Sequence, residues 1–201
     1  MAFTCQSNKS GTKSRFGSFI KVKSEGLDIY AVVLDVVTNP PDSLHKPAAL
    51  GLTREQLRAD QPHIFSLLKT EIKALIIGFA ESQTEDKTAE KIIYQHLPPE
   101  PPQVHDFVYP ARDNEIRALT SDFDFLRLLS GTAASGIPTD ELIAASIREA
   151  GRARTETKER EQYLLLAGRA VSQLFRTDYE RMVSILKKIR PSGDRLAGGV
   201  A

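Results

Sequence analysis

Alternating apolar and polar residues dominate the first half of the chain and predict β-strands there. Ile20 and Val22 lie on one side of the first such segment, with Lys21 and Lys23 on the other. A longer β-branched segment, 27–37, is expected to be buried on both faces, or bulged so that its inward face switches. The pattern predicts strands over 16–23, 27–37, 72–79, 91–97 and 104–109.

Two features interrupt this pattern. Between residues 43 and 70 the spacing becomes helical, first after the capping residue Thr53 and again over 62–68, so we predict a helical insertion. Gly78 lies inside the third strand, where glycine suits a bulge or the close approach of another backbone segment.

Beyond Pro110 the apolar residues recur at helical spacing. They predict a first helix near residues 123–129, a second after Pro138, and a third over 158–175. The fourth helix carries one apolar stripe, formed by Tyr179, Met182, Val183, Leu186 and Ile189.

The 201 residues therefore indicate an α+β protein with four parts. We predict a flexible leader over 1–15, a β-barrel domain over 16–112, an α-helical domain over 113–190 and a flexible tail over 191–201. Five short strands can cover one core only by curling, so we expect a small antiparallel barrel. Its core is predicted to include Ile20, Val22, Val33, Ile76 and Ile93.

Three segments resemble the HAS barrel: 17–22 (GSFIKV), 74–79 (ALIIGF) and the proline-rich exit 97–104 (LPPEPPQV). This domain is shared by HerA-type DNA translocases and the N-terminal crown of the ATP synthase α and β subunits. The resemblance covers residues 16–119. It implies a barrel that packs beside its neighbours in a ring or docks an accessory protein, while a following P-loop domain hydrolyses ATP.

The chain departs from that family because it has no phosphate-binding loop. Such a loop needs the spacing G-x-x-x-x-G-K-[ST], in which backbone N–H groups surround the phosphates. The nearest string, Gly11-Thr12-Lys13-Ser14, lacks the Gly-Lys junction and precedes no strand–loop–helix unit. We therefore predict that neither ATP nor GTP binds.

Charge and cysteine content limit the possible partners, metal sites and cellular location. The net charge is +1, so no global field attracts nucleic acid or anionic lipid. Cys5 is the only cysteine, which excludes an intramolecular disulfide and cysteine-based metal cages within one chain. The first fifteen residues lack a signal-peptide core and no apolar run is long enough to span a bilayer, so a cytoplasmic location without membrane contact is expected.

No pattern predicts a catalytic, cofactor or metal site. The four histidines lack metal-ligand spacing, and ordinary surface positions are favoured even for the pair that flanks the proline-rich exit: His45, His63, His96 and His105. Cys5 lies in the predicted leader, whereas an activated thiolate needs a fixed electropositive pocket.

Two basic clusters could contact phosphates. The first is interleaved with glutamates, which favours a solvated surface: Arg148, Arg152, Arg154, Lys158 and Arg160. The better candidate for nucleic acid is the set on the last helix: Arg181, Lys187, Lys188 and Arg190.

By elimination, the preferred hypothesis is a non-catalytic module for oligomerisation or partner docking. Self-association is predicted to involve the apolar stripe of the last helix, since few preceding helices are available to cover it, although an intramolecular bundle is nearly as well supported. The alternative is a nucleic-acid-associated accessory factor in DNA repair or translocation. An enzyme would need a pocket in which the scattered histidines and carboxylates converge.

Overall fold

A computed structural model of the chain describes residues 1–7, 14–39, 51–62, 65, 68–81, 92–132 and 136–189. The strands are β1 (Ala2–Ser7), β2 (Phe19–Ser24), β3 (Leu27–Asn39), β4 (Lys69–Glu81), β5 (Ile93–Tyr94) and β6 (Val108–Pro110). The helices are α1 (Arg54–Asp60), α2 (Asp113–Leu119), α3 (Phe125–Ser130), α4 (Thr139–Arg152), α5 (Thr157–Leu174) and α6 (Tyr179–Ile189). The protein is α+β, as the sequence predicts.

The six strands form one antiparallel sheet in the order β1-β4-β3-β2-β6, and β5 pairs with the same edge of β4 as β1. Within the described residues, the end strands β1 and β6 are not paired, so the closed barrel expected from the sequence is not observed. The two strands after β4 have only two and three residues. Prolines at 98, 99, 101, 102 and 110 remove the backbone donors that would extend them.

Both faces of the sheet are buried. Ile20, Ile29, Val33, Ile72 and Ile76 belong to an apolar cluster on one face, which also takes residues from both β1 and β6. The sheet is therefore bent around this cluster.

The other face packs against the helices. Its cluster joins strand residues to α2, α3 and α4, and Phe19 meets Phe125 edge to face at 6.3 Å between ring centroids. Gln95, next to β5, ties the sheet to this layer: its amide donates to the Leu119 carbonyl at 2.7 Å and accepts from the Phe125 N–H at 2.8 Å.

Two β-bulges allow the long strands to be buried on both faces. The β3–β4 register shifts between Tyr30 and Ala31 and again between Val33 and Asp35. A bulge inserts one residue and increases the local twist. The sequence left open whether this strand is buried on both faces or bulged, and the structure shows both features.

Gly78 has the role that its position in β4 predicts. A Cβ atom there would lie 2.5 Å from the Tyr94 carbonyl oxygen, so the close passage of β5 requires glycine. The predicted core is also confirmed for Ile20, Val22, Val33 and Ile76, which are buried, while Ile93 is half-buried and packs on the helical side.

The prediction for the first residues is wrong, because Ala2–Ser7 form β1 rather than a flexible leader. Phe3 and Cys5 alternate with polar residues and pack on the cluster within the bent sheet. The predicted strands over 91–97 and 104–109 are also shorter than expected. The helix at Thr53 is confirmed by its capping box with Gln56. Most of 62–68 and the tail 191–201 lie outside the described residues.

Candidate docking surface

A tight turn over residues 103–106 holds apolar side chains out into solvent. The Gln103 N–H donates to Asp106 Oδ2 at 2.8 Å and to Ser24 Oγ at 3.2 Å, and the Asp106 N–H donates back to the Gln103 carbonyl at 3.2 Å. His105 has a left-handed φ of 77° at the tip. Two of these bonds close the turn on itself, and the bond to Ser24 ties it to β2.

Val104 is 84% exposed and Phe107 is 76% exposed. Exposed apolar side chains on a fixed backbone are typical of docking surfaces, since their entropy cost on binding is small.

A groove of about 590 Å³ separates this turn from β1. The first wall is formed by β1 and the second by residues 102–108 and 110, while Val22 and Ile72 contribute from the strands between them. The volume lies in the range of ~300–1,000 Å³ that is usual for ligand sites. The groove thus lies between the two end strands of the sheet, which do not pair with each other.

The single thiol of the chain lines this groove. Cys5 is half-buried, and burial raises the pKa of its thiol. A raised pKa keeps the thiol protonated at neutral pH, which is the opposite of the activation that a nucleophile needs. Cys5 therefore contributes to the groove as a wall residue.

The described part of the chain contains one buried ionic cluster between the sheet and α2. Lys21 lies within salt-bridge distance of both Glu115 and Asp28, the latter at 4.0 Å. The hydroxyl of Tyr30 is buried on the same face. Burial, together with the nearby charges of Glu115 and Asp28, raises the pKa of Tyr30. Lys21, Asp28 and Tyr30 are buried and Glu115 is largely buried, so the cluster ties α2 to the sheet rather than forming an accessible reactive site.

Arg154, from the first basic cluster, is buried. It donates to the Ala150 carbonyl at 2.8 Å, and its guanidinium lies 3.7 Å from the ring centroid of Tyr163. Burial lowers the pKa of Arg154, while the nearby Tyr163 and Glu159 act in the opposite direction. This arginine has a structural role and is unavailable to phosphates.

Two members of the set proposed for nucleic acid are engaged within the chain. Arg181 Nε lies 2.6 Å from Asp140 Oδ1, and Lys188 Nζ lies 2.7 Å from Glu141 Oε1. Lys187 is exposed, and Arg190 lies outside the described residues. Two of the three described cations are thus already paired, which weakens the nucleic-acid alternative without testing it.

The predicted self-association stripe is largely covered by the chain itself. Met182, Leu186 and Ile189 belong to or pack against the cluster that joins α4, α5 and α6. Val183 is half-buried, whereas Tyr179 is 73% exposed. The helix face that is fully buried is centred on Ile185, which the stripe omits. This is the intramolecular bundle that the sequence left as the alternative, and self-association stays a prediction.

The two described histidines lie in unlike surroundings. The ring of His96 packs edge to face on Phe79 at 5.2 Å, and His105 lies in the exposed turn. His45 and His63 lie outside the described residues. Among the residues that the structure places, no group of His, Cys, Asp and Glu could hold a metal ion. Likewise, none of the described helices has both the length and the apolarity that crossing a membrane requires.

Sequence reasoning missed Val104 and Phe107 as surface residues because it assigned 104–109 to a strand. The signal lay in Asp106, since an aspartate three residues after Gln103 suits a turn closed by its own side chain. Comparisons with protein-family models, curated proteins and solved structures return no match to this chain. The resemblance to the HAS barrel therefore stays a hypothesis.

Proposed function

We propose that the protein is a non-catalytic docking module that binds another protein through the turn 103–106, Phe107 and the adjoining groove. The observation that carries this proposal is the exposure of Val104 and Phe107, at 84% and 76%, on a turn held by three hydrogen bonds. An apolar side chain held in this way is exposed to water in the unbound protein. Burying it against a partner stabilises the complex.

The resemblance to the HAS barrel supports the same role, because barrels of that family dock neighbours or accessory proteins. In favour of it are the bent antiparallel sheet and the proline-rich exit to the helices. The gap between β1 and β6 is a departure from the closed form. Self-association is a variant of the proposal in which the partner is a second copy of the chain.

Affinity capture with matched surface variants tests the proposal. We expect proteins retained by the wild type to be lost with Val104→Asp/Phe107→Asp and kept with Leu165→Asp, because Leu165 is also exposed, at 59%, but lies on α5. All three forms should unfold at the same denaturant concentration. The proposal is wrong if no binding partner distinguishes the turn variant from the control, and particle mass by light scattering shows whether the partner is a second copy.

A further inference from the structure

We propose that the outer edge of β1 accepts an extended peptide strand from a partner protein, which occupies the groove between β1 and residues 102–110. This inference rests on the docking function proposed above and specifies the form that the partner takes. Strand addition supplies main-chain hydrogen bonds for affinity and alternate side-chain pockets for specificity.

The hydrogen-bond pattern of β1 leaves a complete edge. The Ile76 N–H donates to the Met1 carbonyl at 3.1 Å, and the register pairs Phe3 with Ala74. In an antiparallel ladder these pairs alternate, so residues 1, 3, 5 and 7 bond to β4. The N–H and C=O groups of Ala2, Thr4 and Gln6 therefore point away from the sheet, and they make no hydrogen bond with any residue that the structure describes.

The edge is open on both faces of the sheet. Thr4 lines the groove beside the turn and also a second depression of about 840 Å³ on the opposite face, next to Pro138. Both depressions adjoin Thr4, so the described residues leave space beside this strand on either face of the sheet.

The sequence of β1 does not protect its edge. Exposed edge strands are usually guarded by charged side chains or proline, which disfavour pairing with another strand. The segment AFTCQS has neither, whereas β6 at the opposite end of the sheet has only three residues and includes Pro110. An unprotected edge of six residues is consistent with a strand that is paired when the protein acts.

The groove also selects the occupant. Its inner side is apolar, with Phe3, Val22, Ile72 and Val108 among the lining residues, so alternate side chains of an incoming strand would be apolar and uncharged. Walls on both sides favour a single extended strand. A second copy that offered its own β1 edge would bring β4 behind it and meet the wall at residues 102–108, so we assign the site to a peptide segment.

Amide hydrogen exchange with a defined probe tests the inference on the whole chain. The probe is a blocked, uncharged hexapeptide of alternating valine and threonine at millimolar concentration, and the control is the same peptide with every backbone nitrogen methylated. In the unbound protein the amides of Thr4 and Gln6 should exchange quickly and those of Phe3 and Cys5 slowly. The probe should slow Thr4 and Gln6 by about tenfold or more, and the methylated peptide should not.

A substitution in β1 distinguishes binding at the strand edge from binding elsewhere on the surface. Thr4→Pro removes an outward N–H without removing a hydrogen bond to β4, so it should abolish protection of Gln6 by the probe while β4 amides stay protected. If it unfolds the strand, the methylated peptide remains the control. Equal effects of the two peptides, or none, would overturn the inference.

Protection of Thr4 and Gln6 that rises with protein concentration alone would identify a second copy as the occupant and also overturn it. Neither result touches the docking function, which fails only if the Val104→Asp/Phe107→Asp variant captures the same partners as the wild type.

Discussion

The two faces of the sheet are both apolar, but different parts of the chain cover them. On one face, Tyr30, Val32 and Ile77 join a continuous cluster with helices α2 to α6. On the other, Ile20, Ile72 and Ile76 are covered by residues of the sheet itself, including the half-buried Phe3 and Cys5 of β1. The helix-covered face is closed except for the depression beside Pro138, whereas the self-covered face retains the groove and an open strand edge.

The difference shows where binding surface remains in a folded chain. Helices can cover an apolar face completely, because each contributes a stripe of side chains that reaches the sheet. A sheet that bends to cover its own face leaves its two end strands exposed unless they pair. The docking surface that we propose lies at those ends for this reason.

Equal truncations on the two faces should give unequal losses of stability. Ile77 and Ile72 lie on the same strand, with Ile77 fully buried under the helices and Ile72 at the groove. We expect Ile77→Ala to lower the free energy of unfolding by about 4 kcal/mol and Ile72→Ala by about 2 kcal/mol, since a site beside a groove collapses more easily. Urea unfolding measures both, and equal losses would show that the groove does not relax around Ile72.

The contribution of the ionic cluster between the sheet and α2 to stability can be tested with two substitutions on β2. Lys21→Met leaves the carboxylates of Asp28 and Glu115 near each other without their cation, which should cost about 3 kcal/mol of stability. Lys23→Met is the matched control, because Lys23 is exposed on the same strand. Chemical denaturation of the two variants should separate them clearly. A Lys21→Met protein as stable as the control would mean that the cluster contributes nothing.

Much of the helix-covered face could be predicted from the sequence, because it depends on local periodicity. The α+β class, the bulged strand 27–37 and the role of Gly78 all follow from the spacing of apolar residues and one glycine. Closure of the barrel could not be predicted in the same way. It depends on whether short segments near prolines find pairing partners, and that balance is set by the whole sheet.

The docking surface was harder to predict than the fold. Phe107 and Val104 have the composition of a buried strand, and only their geometry places them outside. The error for the basic residues was the opposite one, because residues expected to be free are paired. Arg181 and Lys188 have partners on α4, Asp140 and Glu141, that are 41 and 47 residues away in sequence. Periodicity identifies the face of an element, but it does not show which neighbour covers that face.

β5 can approach β4 closely because residue 78 is a glycine, which has no side chain. Gly78→Ala would place a Cβ atom 2.5 Å from the Tyr94 carbonyl, so β5 must move, and we expect a loss of about 1–3 kcal/mol. Gly131→Ala is the control, because a Cβ atom there meets no atom within 4 Å. Thermal unfolding gives both values. The interpretation fails if the two substitutions have the same effect.

The smallest effect on stability at neutral pH is expected for Tyr30→Phe, which tests the helix-covered face without creating a cavity. The Tyr30 hydroxyl is buried without a hydrogen-bond partner, so removing it should change stability by less than about 1 kcal/mol at pH 7.

The same substitution should have a larger effect on stability at high pH. Because the folded protein raises the pKa of Tyr30 above its ordinary value of 10.0, both states keep the proton below that pH. Above it, only the unfolded chain releases the proton, and stability falls by up to ~1.4 kcal/mol per pH unit for this group. Tyr30→Phe should therefore show a shallower alkaline loss of stability than the wild type. Urea unfolding between neutral pH and pH values above 10.0 measures the slopes. Equal slopes for Tyr30→Phe and the wild type would mean that the phenol reaches water, and that the helix-covered face is less closed than the packing indicates.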